Sequence, residues 1–176
     1  MDIKEILSKV DHTNLVPGAT WTDIKSLCDE GIEYGCASVC IPPSFVRKAS
    51  EYVSGSLKIC TVIGFPNGYS ATAVKCFETE QAVRDGADEI DMVINNGMVK
   101  SGRYKEILEE IKAVRCSCGN RILKVIAEAC LLTYEEKVKI CEIVSASGAD
   151  FIKSGSLSRG ERLAKYNRLM EIEREL

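Results

Sequence analysis

Residues 148–153, Gly-Ala-Asp-Phe-Ile-Lys, decide the fold of this chain, because the same theme occurs twice earlier. Residues 35–41 (Gly-Cys-Ala-Ser-Val-Cys-Ile) and residues 86–94 (Gly-Ala-Asp-Glu-Ile-Asp-Met-Val-Ile) also place a glycine before a short, mostly apolar run. A glycine suits the end of a helix, since it adopts positive φ without strain, and a short apolar run is typical of a buried parallel strand. The theme therefore predicts units in which a helix ends and a strand of a parallel sheet follows.

Three further runs extend this pattern: residues 58–64, residues 121–127 and, less clearly, residues 10–15. Amphipathic helices are predicted between the runs, and Thr133 with Glu136 has the spacing of a capping box at the start of one of them. Strands that alternate with helices predict a mostly parallel sheet with right-handed crossovers. Such a sheet is either doubly wound and open or part of a barrel.

Two observations favour the barrel. No Gly-x-Gly-x-x-Gly motif follows a predicted strand, as a doubly wound dinucleotide-binding sheet would require. Polar residues recur at the carboxyl ends of the predicted strands, where barrel enzymes hold their chemistry: Asp11, Cys40, Asp91, Lys124 and Lys153. The sequence therefore predicts an α/β fold, an incomplete TIM-type (β/α) barrel with six of the eight units. Eight units need about 200–250 residues, whereas the chain has 176.

A single barrel-like domain is expected over residues 1–176, with an N-terminal helix at residues 1–9 and a divergent tail at residues 154–176. The polar residues 162–176 predict a C-terminal helix that no strand follows. An uncovered parallel edge is an aggregation hazard. Either a partner covers the open edge, or the last helix fills the gap.

The composition limits the classes of function. A net charge of −3 gives no reason to expect nucleic acid as a partner, and no apolar run reaches the roughly 18 residues that span a membrane. The N-terminus lacks the pattern of a signal peptide, and nine cysteines without a Cys-x-x-Cys motif are typical of a reducing cytosol. We therefore expect a cytoplasmic protein. With His12 as the one histidine, no metal site and no cofactor are predicted.

Lys153 and Lys124 lie in two neighbouring predicted strands. A buried strand and a second ammonium nearby would both lower the pKa of a lysine, which leaves a neutral, nucleophilic amine. This arrangement predicts an enzyme that forms an imine with a carbonyl substrate. The alternative for Lys153 is a side chain that extends to the edge of the sheet and is solvated there.

Two further clusters stand near these lysines in the predicted fold. Asp91 ends a strand, and it could relay protons or form a structural ion pair with a lysine. Residues 11–15 (Asp-His-Thr-Asn-Leu) end the first strand and could bind substrate hydroxyls or cap the next loop. His12 within them is interpreted as a packed or surface residue and not as a catalyst.

Several ordered stretches together resemble the deoxyribose-phosphate aldolase family. They run along most of the chain, from Asp11 to Lys153. The stretches that carry the resemblance are residues 11–15, 39–43 (Val-Cys-Ile-Pro-Pro), 61–66 (Thr-Val-Ile-Gly-Phe-Pro), 72–75 (Thr-Ala-Val-Lys), 86–95, 123–126 (Leu-Lys-Val-Ile) and 148–153.

The resemblance implies a TIM barrel and a class I aldolase that uses neither a metal nor a cofactor. Such enzymes reversibly cleave 2-deoxy-D-ribose 5-phosphate into acetaldehyde and D-glyceraldehyde 3-phosphate. By position, Lys153 would form the imine, Lys124 would lie beside it, and Asp91 would belong to the proton relay. The residues that would line the substrate pocket are Asp11, Thr13, Cys40 and Phe65.

The chain departs from the family pattern after Lys153. Where the family reads Thr-Ser-Thr-Gly-Phe, residues 154–158 read Ser-Gly-Ser-Leu-Ser, and residues 159–176 contain no counterpart of the Lys-Ala-Ala-Gly-Gly-Ile motif or of the phosphate-binding turns. We therefore expect a chain that lacks the last two strands, with activity impaired by the truncation.

Three functions follow as hypotheses. The first is an aldolase that acts on a small phosphosugar or aldehyde, as a homo-oligomer. The second is a non-catalytic remnant that acts as an oligomeric or binding module, because its open sheet edge needs a cover. The third, another phosphosugar barrel enzyme such as an isomerase, explains Asp91 but not the two strand lysines.

Overall fold

A computed structural model describes residues 3–155 as one parallel β-sheet with helices that alternate with its strands. The strands are β1 (Asp11–Thr13), β2 (Ser38–Ile41), β3 (Lys58–Ile63), β4 (Glu89–Val93), β5 (Ile122–Ile126) and β6 (Phe151–Lys153). Each strand pairs in parallel with the next one along the chain, in the order β1 to β6. The six predicted strands are confirmed, and sequential parallel order is that of a barrel and not of a doubly wound sheet.

The helices are α1 (Ile3–Leu7), α2 (Trp21–Glu33), α3 (Val46–Val53), α4 (Thr72–Arg84), α5 (Asn96–Lys100), α6 (Tyr104–Cys118) and α7 (Tyr134–Ser147), with short 3₁₀ turns at Pro43–Phe45 and Ala129–Leu131. Thr133 caps α7 in the predicted capping box with Glu136. Gly86 and Gly148 adopt φ values of 102° and 84° between a helix and the next strand, which only glycine adopts without strain. The predicted helix within residues 162–176 lies outside the described residues.

The two faces of the sheet differ. Side chains alternate along a strand, so Ile90 and Met92 of β4 point to one face, and Glu89 and Asp91 to the other. The first face packs under the helices and forms the main core. That core includes Val39, Ile59, Ile90, Met92, Leu123 and Val125 from the strands and Ile24, Ile107, Ile111 and Ile140 from the helices. The second face, called the inner face below, carries the ionisable side chains.

The sheet curls around this inner face. Asp11 on β1 and Lys153 on β6 stand at opposite edges of the six-stranded order, yet Asp11 Oδ2 lies 3.1 Å from Lys153 Nζ. A flat sheet would hold these edges several strand spacings of about 4.8 Å apart. The described residues therefore form an incomplete TIM-type barrel with six strands. No helix among them is both long enough and apolar enough to cross a membrane.

Candidate active site

Five ionisable side chains meet at the centre of the inner face: Asp11, Glu89, Asp91, Lys124 and Lys153. The strand register explains the arrangement, since Asp91 is paired with Lys124 across β4 and β5. Glu89 lies two residues before Asp91 and so shares its face. Three carboxylates and two amines thus occupy one cluster, which carries a net charge of −1 when all five groups are ionised.

Lys124 is enclosed by carboxylates. Its Nζ lies 2.7 Å from Glu89 Oε2, 2.8 Å from Asp11 Oδ2 and 3.3 Å from Asp91 Oδ1, and its side chain is only 8% exposed. Burial alone would lower the pKa of this amine. The negative charges around it and its hydrogen bonds to Asp11 and Glu89 outweigh burial and raise the pKa of Lys124. Lys124 is therefore a fixed cation at neutral pH.

Lys153 is more accessible. Its side chain is 35% exposed, and its Nζ donates to Asp91 Oδ2 at 2.6 Å and to Asp11 Oδ2 at 3.1 Å. Burial again favours the neutral amine, but the hydrogen bonds and charges of Asp91 and Asp11 outweigh it and raise the pKa of Lys153. Of the two amines in the cluster, Lys153 is thus the one that a substrate can reach, and it already contacts two proton acceptors.

The prediction that the two lysines lower each other's pKa is wrong. The sequence showed two cations on neighbouring strands, but each ammonium contacts carboxylates at 2.6–3.3 Å, and opposite charges this close favour the charged form. The expectation of a buried last strand is also wrong for the described residues, since Phe151 is 56% and Ile152 44% exposed. Lys153 must therefore lose a proton before it can act as a nucleophile.

Asp11 connects the cluster to the first strands. Its Oδ2 accepts from both lysines, and its Oδ1 accepts from the Ser38 hydroxyl at 2.9 Å. Burial raises the pKa of a carboxyl, but the hydrogen bonds and charge of Lys124, together with those from Ser38 and Lys153, hold the pKa of Asp11 below its ordinary value. Asp11 is consequently ionised at neutral pH.

The other residues that sequence analysis assigned to the pocket lie around this cluster. Cys40 is buried on the inner face beside Cys60 and Val62. Thr13 is exposed, and its hydroxyl donates to the Asp11 carbonyl at 2.7 Å. Phe65 is partly exposed and lines a neighbouring cleft of about 310 Å³, together with Leu15, Pro42, Phe45, Val62 and Glu78.

This cleft adjoins the cluster. Val62 lines the cleft, and it packs with Leu15 against the inner-face cysteines. The cleft lies near the carboxyl ends of β1, β2 and β3, where substrates bind in barrel enzymes. The described residues therefore place a cleft with both apolar and polar lining next to the charged cluster. His12 lies apart from both, since its ring pairs with Glu30 at 2.8 Å.

Sequence analysis missed Glu89, Ser38 and Cys60, although each is part of the inner face. A signal was available for two of them. Glu89 precedes Asp91 by two positions and Ser38 precedes Cys40 by two, so strand periodicity assigns each pair to one face. The sequence could not show that Glu89 on β4 and Asp11 on β1 would both contact the Lys124 amine.

A buried ion pair supports the site from behind. Lys75 on α4 has no exposed surface, and its Nζ donates to the Val93 carbonyl at 2.8 Å and to Glu110 Oε1 on α6 at 2.9 Å. Glu110 Oε2 in turn accepts from the Asn95 backbone NH at 3.4 Å. These bonds attach the carboxyl end of β4, and with it the strand that carries Asp91, to two helices.

The inner face of this curled parallel sheet carries a partly exposed lysine, a second lysine and carboxylates. This is the arrangement of a lysine-dependent lyase on a TIM-type barrel. The model of the DeoC/LacD family aldolases matches residues 1–165, and the chain belongs to this family.

Relatives and solved structures agree with this assignment. The chain is 55% identical over 156 residues to a deoxyribose-phosphate aldolase of Streptococcus pyogenes and 54% identical to one of Streptococcus agalactiae, and in each case the match covers 89% of this chain and 70% of the relative. A putative deoxyribose-phosphate aldolase from Coccidioides immitis superposes with a TM-score of 0.86 at 38% identity, covering 89% of this chain and 62% of that one.

A tetrameric deoxyribose-phosphate aldolase from Aeropyrum pernix superposes with a TM-score of 0.78 at 28% identity, covering 88% of this chain. The match covers 65% of that chain, so this chain spans less than two thirds of these two solved structures. The predicted family and the incomplete barrel are confirmed.

Proposed function

We propose that the chain is a class I aldolase that reversibly cleaves 2-deoxy-D-ribose 5-phosphate into acetaldehyde and D-glyceraldehyde 3-phosphate. The observation that carries the proposal is the difference between the two inner-face amines. Lys153 is 35% exposed and donates to Asp91 at 2.6 Å, whereas Lys124 is 8% exposed and enclosed by carboxylates. One amine can meet an aldehyde, and the other supplies a fixed positive charge.

The first step is the loss of a proton from Lys153. The ammonium transfers it to Asp91 Oδ2, which already accepts its hydrogen bond. The free amine then attacks the aldehyde carbon of the substrate, and the carbonyl oxygen takes up a proton. Loss of that oxygen as water leaves an iminium on Lys153.

The iminium then makes the carbon–carbon bond labile. Its positive charge accepts the electron pair of that bond, a proton leaves the substrate hydroxyl, and glyceraldehyde 3-phosphate departs. The remaining enamine takes a proton at its terminal carbon, and water hydrolyses the resulting iminium to release acetaldehyde. We assign the proton transfers at that carbon to Asp91, because its carboxylate adjoins the Lys153 nitrogen at which the enamine forms.

Lys124 and Asp11 keep the relay in position in this scheme. Lys124 holds Asp11 and Asp91 through contacts at 2.8 and 3.3 Å, so both carboxylates stay close to Lys153. Its positive charge also limits the accumulation of negative charge when Lys153 is neutral. Thr13, Cys40 and Phe65 are proposed to contact the sugar carbons and hydroxyls, as the family resemblance implies.

The proposal requires neither a metal nor a cofactor for the cleavage. The turns that the resemblance assigns to the phosphate follow strands beyond the six described ones, so no described residue is assigned to that group. Nine cysteines without a Cys-x-x-Cys motif support the proposed cytoplasmic location, because such cysteine usage is typical of a reducing compartment.

The function is tested by an assay for cleavage of 2-deoxyribose 5-phosphate, in which a coupled alcohol dehydrogenase detects the acetaldehyde released. The parent protein should produce acetaldehyde, and Lys153→Ala should produce none above background. Lys139→Ala is the matched control, since Lys139 is an exposed lysine on α7 that pairs with Glu142 and makes no contact with the five side chains of the cluster. Turnover that survives in Lys153→Ala would move the nucleophile to another residue.

A homo-oligomer is proposed as the assembled form. Phe151 and Ile152 on β6, the last strand of the sheet within residues 3–155, expose apolar surface, and the Aeropyrum pernix relative is described as tetrameric. The same exposed edge favours the second hypothesis, a non-catalytic oligomeric or binding module. Sedimentation velocity in dilute solution checks the assembly: a stable monomer would count against a covered edge, and an oligomer without cleavage activity would favour the non-catalytic module.

A further inference from the structure

Two cysteines lie beside Asp91 on the inner face, and the proposed aldolase chemistry gives the Cys60 thiol no role. Cys40 on β2, Cys60 on β3 and Asp91 on β4 lie on three consecutive strands, and their two sulfur atoms and one carboxylate oxygen are all within 4.8 Å of one another. All three residues are almost completely buried, with exposures of 2%, 0% and 1%. Cys60 and Cys40 are paired in the strand register, so the backbone fixes their proximity.

The buried carboxylate of Asp91 is an independent indication of a binding site. Its Oδ2 accepts a hydrogen bond from Lys153 at 2.6 Å, but its Oδ1 accepts none from any residue in the described range. The Lys124 ammonium at 3.3 Å balances its charge without a well-formed hydrogen bond. Buried carboxylate oxygens normally have a partner, and one without a partner indicates a site where an ion or a polar group binds.

We propose that Cys40, Cys60 and Asp91 bind one thiophilic divalent cation, of which zinc and cadmium are the representatives. Two thiolates and a carboxylate are a ligand set that such ions accept in tetrahedral geometry, and the fourth position remains for water or a substrate oxygen. With metal–sulfur distances of about 2.3 Å, the two sulfur atoms of a tetrahedral site lie about 3.8 Å apart. Atoms that already lie within 4.8 Å need only a small approach to reach that geometry.

The charge balance permits this exchange. Two thiol protons leave to solvent, one divalent cation enters, and two metal–sulfur bonds and one metal–oxygen bond form, so the net charge of the cluster is unchanged. The cation approaches a cluster whose five ionised groups carry a net charge of −1. The hydrogen bond with Cys40 and burial hold the pKa of the Cys60 thiol well above its ordinary value, so the entering cation has to displace that proton. Lys124 Nζ, 3.5 Å from Cys60 Sγ, favours the thiolate that results and remains neutralised by Glu89 and Asp11.

Occupancy of this site has a consequence for the proposed aldolase. A cation bound to Asp91 Oδ1 draws electron density from the carboxylate, so Oδ2 becomes a weaker acceptor for the Lys153 proton whose loss precedes imine formation. This second part rests on the proposed function, whereas binding of the metal does not. We expect zinc or cadmium to act as a reversible inhibitor that a chelator removes.

The test begins with a variant in which the three exposed cysteines are replaced by serine: Cys116→Ser, Cys130→Ser and Cys141→Ser. Titration with Cd²⁺ is followed by the sulfur-to-cadmium charge-transfer absorbance, which reports thiolate ligation directly. One equivalent is expected to bind with a charge-transfer band. Adding Cys40→Ser or Cys60→Ser should abolish the band, and adding Asp91→Asn should weaken binding at least tenfold.

Cys36→Ser is the matched control, because Cys36 is partly buried and stands outside the cluster. It should leave the Cd²⁺ titration unchanged. Circular dichroism of each variant verifies folding, and Cys60→Ala replaces Cys60→Ser if serine at this buried position unfolds the protein. A full charge-transfer band in folded Cys40→Ser or Cys60→Ser would overturn the site, as would unweakened binding in Asp91→Asn.

The metal site and the aldolase function can be refuted independently of each other. If no variant cleaves substrate but the Cd²⁺ titration gives the expected pattern, the aldolase proposal fails and the metal site stands. If Lys153 forms an imine that Cd²⁺ does not suppress, the metal site does not control the amine and the inhibitory part of the inference is overturned.

Discussion

Replacement of Lys75 by methionine is expected to lower the free energy of unfolding by about 3–5 kcal/mol, the usual cost of breaking a buried ion pair on one side. Lys75 has no exposed surface, and its ammonium contacts Glu110 Oε1 at 2.9 Å and the Val93 carbonyl at 2.8 Å. Methionine fills a similar volume but makes neither bond. Glu110 would remain as a buried carboxylate without its cation, and a buried carbonyl would lose its donor.

Urea unfolding monitored by circular dichroism measures this loss. For a chain of this size the denaturant dependence is about 1–3 kcal/mol per molar urea. The expected destabilisation therefore moves the midpoint by more than about 1 M. Lys139→Met is the control, because Lys139 and Glu142 form an exposed pair whose removal should leave the midpoint unchanged.

The double variant Lys75→Met/Glu110→Leu separates the charge from the packing. Removing both partners leaves no unpaired ion, so the remaining costs are the unsatisfied Val93 carbonyl, about 1–3 kcal/mol, and the loss of the long 3.4 Å hydrogen bond from the Asn95 NH. The double variant should be more stable than Lys75→Met alone. A single variant within about 1 kcal/mol of the parent, or a double variant no more stable than the single one, would refute the role given to this pair.

Three further predictions concern the cluster and its frame. Asp91 raises the pKa of Lys153, so Asp91→Asn should move the pH at which imine formation is half-maximal to lower pH. The same variant should slow hydrogen exchange at the acetaldehyde methyl group. An imine pH profile and an exchange rate, both measured by NMR, that equal those of the parent would contradict the role of Asp91. The lowered pKa of Asp11 contributes stability that is present above its unfolded value of 3.8 and lost as pH falls through the folded value, so Asp11→Asn should lose less stability on acidification below about pH 4 than the parent. Gly64→Ala should lower the free energy of unfolding by about 1–3 kcal/mol, and by more than Gly35→Ala does, as measured by thermal unfolding. Both glycines have φ near +64°, but only at Gly64 would a Cβ lie 2.9 Å from the buried Lys75 side chain. Equal losses in the two variants would contradict this.

The fold could be predicted from the sequence because its signals are local. Glycines at helix ends, the capping box at Thr133 and short apolar runs each act within a few residues, and together they fix the six units and their order. The alternation along β4 also places Asp91 on the inner face. Sequential units of this kind leave few topologies to choose from.

The electrostatics of the site could not be predicted in the same way. The raised pKa of Lys153 is caused first by Asp91 on β4 and then by Asp11 on β1, and these carboxylates reach the amine on β6 only because the sheet curls. The sequence shows the Lys124 and Lys153 cations on neighbouring strands, but it does not show that carboxylates from β1 and β4 contact Lys153, so it predicts the wrong sign for this pKa shift. The same limit applies to Cys40 and Cys60, whose sequence spacing fits no metal motif and whose proximity arises from strand pairing.

The accessibility of the two amines also depends on tertiary structure. Both lysines lie in apolar runs of similar composition. The strand of Lys124, β5, is paired with β4 and β6, whereas the strand of Lys153, β6, is paired only with β5 among the described strands. That difference leaves Lys153 more open than Lys124 and gives the two side chains separate roles.

Reductive trapping tests the central claim most directly. The protein is incubated with acetaldehyde and sodium borohydride at neutral pH, and the modified lysine is located by peptide mass spectrometry. We predict a single ethyl adduct on Lys153, absent from Lys153→Ala and not transferred to Lys124. An adduct on Lys124, or no adduct on Lys153 in folded protein, would contradict the assignment of the exposed, carboxylate-paired amine as the nucleophile.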